Sequence, residues 1–79
     1  MISRVIAEPK PEKIVMQRAL IGLTIVEFAK KCGVHFTTIS GIETGRIKRV
    51  TPKTAYKISS VFNMPVDELF ELKYLGRDK

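Results

Sequence analysis

Two glycines, Gly33 and Gly45, divide the centre of the chain into segments too short for more than about three helical turns each. Just before the first, Thr24 and Glu27 have the spacing of a capping box. The threonine hydroxyl accepts the amide of the third helical residue and the carboxylate reaches back to the cap amide. Leu23 precedes the cap, where a hydrophobic staple belongs. Phe28 and Ala29 turn inward one turn later, Lys30 and Lys31 suit the negative end of the helix dipole, and Gly33 offers a left-handed exit. A helix over 24–31 is predicted. Beyond the glycine, Val34 is an apolar anchor, and Ile39 and Ile42 share a face at i,i+3 spacing, which predicts a helix over 35–44 that Gly45 ends. Short helices that each bury one face require a small helical domain around them.

The flanking segments supply its other parts. Residues 12–21 are helix-permissive, with Ile14, Ala19 and Ile21 among polar Lys13, Gln17 and Arg18, and Gly22 provides a stop. Thr51 followed by Pro52 is a cap residue with proline at the first helical position, where a missing amide hydrogen costs nothing. The helix that starts there turns Ala55, Ile58, Ser59 and Phe62 inward. Asn63, Met64 and Pro65 break it before a last short helix containing Val66, Leu69 and Phe70, with Asp67 and Glu68 at its positive end. Residues 2–6 have weak strand character, and Pro9 and Pro11 interrupt any earlier helix, so 1–11 reads as an N-terminal arm. Residues 71–79 form a tail that either prolongs the last helix or runs extended through Leu72 and Tyr74. The expected fold is all-α, a compact five-helix domain over 12–70, with no internal repeat.

A chain of 79 residues, 44% hydrophobic, has room for one small core and not for a two-lobed enzyme cleft. A single cysteine, Cys32, permits no internal disulfide, so the reducing cytoplasm is the expected location. No apolar stretch reaches the roughly 18 residues a bilayer requires and the start lacks a signal-peptide core, so a soluble protein without a membrane partner is expected. There is no clustered Cys/His set, no paired-carboxylate pocket and no phosphate-cradling glycine loop with its motif lysine, hence no expectation of enzyme activity, metal or cofactor. The 14 Lys and Arg outnumber the 8 Asp and Glu, and the excess is concentrated. Residues 44–57 carry 5 basic side chains, Arg46, Lys48, Arg49, Lys53 and Lys57, and no acidic one. Such a local positive field attracts a polyanion.

Two short helices across a glycine turn form a helix-turn-helix, whose second helix enters the major groove while the first braces it across the backbone. The same packing also serves a helical protein-interaction module. The stretches 22–29 and 33–46 resemble the Cro and phage-repressor family of helix-turn-helix proteins, also called the XRE family. The segment Ile39, Ile42, Glu43, Gly45 and Arg46 is the most specific part. The likeness continues from Pro52 to Phe70 through Ala55, Ile58, Val61, Phe62, Val66 and Leu69. It implies a lambda-repressor-like, five-helix domain that regulates transcription by sequence-specific binding of double-stranded DNA, as a repressor and usually as a homodimer on a pseudo-palindromic operator. A regulatory protein partner is compatible with it.

By that resemblance Phe36, Thr37, Ser40 and Gly41 face the bases. Phe36 and Gly41 stand where long polar side chains are common in the family, and Ile25 replaces a frequent glutamine, so amides able to make bidentate base contacts are few. If a protein rather than DNA is the partner, the Phe36/Gly41 face is where it would dock. Thr38, Thr44, Arg46, Lys48, Arg49 and Lys53 are expected at the DNA backbone, reinforced by the helix start at Thr51. Lys57 is expected in solvent and His35 as a cap or a phosphate contact. Arg18 and Glu43 match a pair that ties the first helix to the third in the family, a structural ion pair.

Overall fold

Caps and prolines set the helix starts. In the computed structural model, which describes residues 4–76, a strand β1 (Val5–Pro9) leads into α1 (Pro11–Leu20), with Pro11 in its first turn. The outer ends of the expected arm and tail, 1–3 and 77–79, lie outside the described residues. Next come α2 (Ile25–Cys32), α3 (Phe36–Thr44), α4 (Pro52–Val61), α5 (Val66–Leu69) and a strand β2 (Phe70–Tyr74). Thr24 and Glu27 make the reciprocal capping box of α2, at 3.1 and 2.9 Å. Thr51 Oγ1 accepts the Thr54 amide at 3.2 Å to start α4. The exits of α2 and α3 are the left-handed glycines Gly33 (φ 74°) and Gly45 (φ 83°), where a Cβ would be strained.

The helices close over one core. Ile14 of α1, Phe28, Ala29 and Cys32 of α2, Ile39 and Ile42 of α3, and Ala55 and Ile58 of α4 are buried. Half-buried Phe62 stacks on Phe28 with ring centroids 4.8 Å apart. Each large side chain so removed from water contributes about 1.5–3 kcal/mol. The end of α1 contributes little: Ala19, Leu20 and Ile21 are exposed, so the inward face expected of that segment rests on Ile14.

The five helices are accompanied by an antiparallel two-stranded sheet that an all-α reading leaves out. The tail does not prolong α5. Phe70, expected inside the last helix, is extended (φ −136°, ψ 153°) and begins β2. Val5 pairs with Tyr74, Ala7 with Leu72 and Pro9 with Phe70. Ala7 and Phe70 are fully buried, so the ribbon is rooted in the helical core. Its far side also touches the loop after α3, because Ala7 and Val50 exchange both backbone hydrogen bonds at 2.9 Å. The arm therefore holds in place the loop that carries Arg46, Lys48 and Arg49.

Candidate nucleic-acid interface

The turn between α2 and α3 is fixed from both sides. Gly33 and Val34 donate to the Ala29 carbonyl at 2.9 and 3.1 Å, which closes α2. His35 caps α3: its Nδ1 accepts the Thr37 amide at 3.2 Å and lies 2.8 Å from the Thr37 hydroxyl. Accepting at Nδ1 leaves the ring proton on Nε2. Among the described residues, no group of three or more His, Cys, Asp or Glu side chains gathers around His35 or elsewhere as a metal site.

The outer side of α3 begins with Phe36, 48% exposed and stacked on His35 with centroids 5.3 Å apart. Thr37 is exposed, while Thr38 and Ser40 are half-buried. Gly41 is not at this surface, contrary to the sequence expectation. It is buried, and a Cβ on it would come 2.6 Å from Ile47 Cδ1 and 2.8 Å from Arg46 Nη2. The chain leaving α3 folds back over it, and the Ile47 amide donates to the Gly41 carbonyl at 2.9 Å. The missing side chain at Gly41 is thus what admits the basic loop.

That reversal moves Arg46 away from where a cation following α3 would be sought. Its Nη2 donates to the Thr37 carbonyl at 3.4 Å, so the guanidinium lies along α3 beside its first turn. Lys48 and Arg49 are exposed in the loop, and Lys53 is exposed in the first turn of α4, where the helix dipole adds positive potential. Lys57 is also exposed, farther along α4. The Thr44 hydroxyl is engaged within its own helix, donating to the Ser40 and Gly41 carbonyls at 3.0 and 3.3 Å. Ile47 and Val50, which aim the loop, are absent from the residues read as functional. The available signal is that they are apolar in an otherwise cationic stretch.

Arg18 and Glu43 form a bidentate pair, with Nε to Oε2 at 2.7 Å and Nη2 to Oε1 at 2.8 Å, and Arg18 Nη1 also donates to the Leu23 carbonyl at 2.8 Å. The hydrogen bond to Glu43 is the main cause of a raised Arg18 pKa, opposed by burial. One guanidinium thereby ties α1 to the end of α3 and to the turn before α2. Cys32 is a packing residue: burial pushes its thiol up to about 12, which leaves no thiolate for nucleophilic chemistry near neutrality.

Two helices across a glycine turn, braced by a third and followed by a cationic loop, define a DNA-binding class of fold. The sequence matches the helix-turn-helix family over residues 14–69. Two uncharacterised HTH-type transcriptional regulators of Archaeoglobus fulgidus are similar to it, 43% and 40% identical over 53 residues, which span 67% of this chain and 74% and 73% of theirs. Among solved structures, it resembles the biofilm master regulator SinR in complex with DNA, with a TM-score of 0.69 and 26% identity over 72% of this chain and 90% of that one. The N-terminal DNA-binding domain of SinR from Bacillus subtilis gives the same TM-score and identity, over 83% of its length. The chain belongs to the helix-turn-helix family, in its Cro and phage-repressor type. The two Archaeoglobus relatives are regulators of transcription rather than enzymes, and SinR is a DNA-bound master regulator. Among the described residues, no helix is long and apolar enough to cross a membrane.

Proposed function

We propose that this regulator of transcription acts as a repressor in the cytoplasm, as a homodimer on a pseudo-palindromic site in double-stranded DNA, with α3 in the major groove. Phe36 packs against a thymine methyl, and Thr37 and Ser40 reach base edges. Thr38, Lys48, Arg49 and Lys53 serve the flanking phosphates, and the Thr44 hydroxyl joins them by turning from the Ser40 carbonyl it bonds in the free protein to a phosphate. Arg46, laid along the first turn of α3, is within reach of either, and it restores to this face the long cationic side chain that Gly41 lacks. A regulatory protein that covered Phe36 would compete with DNA for the same helix. The observation that most supports this reading is the basic loop itself, folded over Gly41 and fastened by Ile47 and Val50 beside α3.

Its test is a titration of duplex DNA at several salt concentrations, with wild type and an Arg46→Ala, Lys48→Ala, Arg49→Ala triple variant. Each phosphate contact adds about 0.9 to the slope of log affinity against log salt, so the triple variant should bind more weakly and with a slope smaller by about 2–3. Tight binding indifferent both to salt and to removal of the three charges would rule out the clamp and favour a protein partner at Phe36.

A further inference from the structure

Among the described residues no strand covers the outer edge of β2, and the sequence of β2 is complementary to itself. Ala7 spends its N–H and C=O on Val50, so across the ribbon Ala7 and Leu72 form a non-hydrogen-bonded pair, and Leu72 turns its own N–H and C=O away from β1. The alternation is confirmed at both ends, where the hydrogen-bonded positions are Lys10 N to Leu69 O at 2.8 Å and Leu75 N to Arg4 O at 2.7 Å. Leu72 and Tyr74 therefore present backbone donors and acceptors to the side where, among the described residues, no further strand lies. The same two residues are 47% and 66% exposed on the apolar side of the ribbon, which is buried at Phe70.

We propose that β2 pairs with β2 of a second copy of this chain, antiparallel about a twofold axis at Leu72, giving a continuous four-stranded sheet. In that register Leu72 exchanges both backbone bonds with its own counterpart, Phe70 faces Tyr74 of the other copy, and Glu71 faces Lys73 of the other copy twice over. Charge selects the register. An axis at Lys73 also satisfies the backbone alternation but sets two lysines directly opposite, which is repulsive. Glu71 has reason to accept a partner: within the ribbon it lies opposite another carboxylate, Glu8, whose cation is Lys73 at 3.4 Å, and among the described residues no cation pairs with Glu71. The proposal rests on the homodimer of the preceding reading and specifies its surface.

The test is sedimentation of the full chain across a dilution series without DNA, so that loss of the dimer and loss of DNA binding are read separately. Glu71→Lys sets lysine against Lys73 of the other copy at two symmetric places while improving the contact with Glu8, and Lys73→Glu sets glutamate against Glu71. Each alone should raise the dimer dissociation constant about tenfold or more. An equimolar mixture of the two variants should dimerise again, because every opposed pair is then oppositely charged, a recovery that misfolded chains would not show. A wild-type protein that stays monomeric throughout, single variants that dimerise like wild type, or a mixture that fails to recover would each overturn the pairing.

Discussion

The α2–α3 unit and the β1/β2 ribbon are built by opposite means. In the first, the fixing contacts join close neighbours: Thr24 with Glu27, Gly33 with Ala29, His35 with Thr37. In the second they join the two ends of the chain, Arg4 with Leu75 and Lys10 with Leu69. Local contacts lose little chain entropy on closure, whereas a two-stranded ribbon is marginal by itself. The ribbon persists because Ala7 and Phe70 are sunk into the core made by the helices. The DNA-facing unit can thus take shape early from its own sequence, and the ribbon must wait for the body on which it sits. The two meet at the basic loop, held by Ile47 against α3 and by Val50 against β1.

Removing the ribbon's root should have the largest effect. Phe70 is fully buried, and Phe70→Ala should cost about 3–5 kcal/mol, a large share of the stability of so small a domain, measured by urea unfolding at fixed protein concentration. A cost below about 1 kcal/mol would mean that the ribbon is an appendage that the helical core does not need. On the helical side, Arg18→Ala strands the Glu43 carboxylate, whose side chain is only 6% exposed, and releases the Leu23 carbonyl. A loss of about 2–3 kcal/mol is expected by the same measurement, larger than for Glu43→Gln, whose amide keeps an acceptor for the guanidinium.

How far the sequence reveals each region follows from the same contrast. The capping box, the glycine exits and the inward Phe28, Ala29, Ile39 and Ile42 all obey rules that act within a turn or two, and the helices begin and end within about a residue of where those rules put them. The Arg18–Glu43 contact spans 25 positions and follows from no local rule; only the family resemblance suggests it. The sheet is harder still. β1 and β2 are each short, Pro9 and Pro11 blur the first, and Phe70 directly after Leu69 looks as much like one more helical residue as like the start of a strand. Gly41 is misplaced on the DNA-facing side because helical geometry alone cannot show that the chain returns over it.

Gly41→Ala tests where the two regions meet, with the smallest effect on stability and a distinct effect on function. Alanine gains about 1 kcal/mol of helix propensity over glycine. Its Cβ, however, would lie 2.6 and 2.7 Å from Ile47 Cδ1 and Cγ1 and 2.8 Å from Arg46 Nη2, so those side chains must shift. The backbone of Ile47 is fixed, since its amide is bonded to the Gly41 carbonyl and Val50 is fastened to Ala7, but its side chain is only half-buried and can turn aside. The guanidinium of Arg46 is the freer group, and it should leave the Thr37 carbonyl. Thermal unfolding should therefore change by less than about 1 kcal/mol, while DNA affinity should fall about fivefold, as expected for losing about 1 kcal/mol of contact from one misplaced arginine. Unchanged affinity would show that Arg46 finds DNA without being held against α3. A much larger loss of stability would show that the loop is clamped too firmly between α3 and the ribbon for the side chains alone to yield.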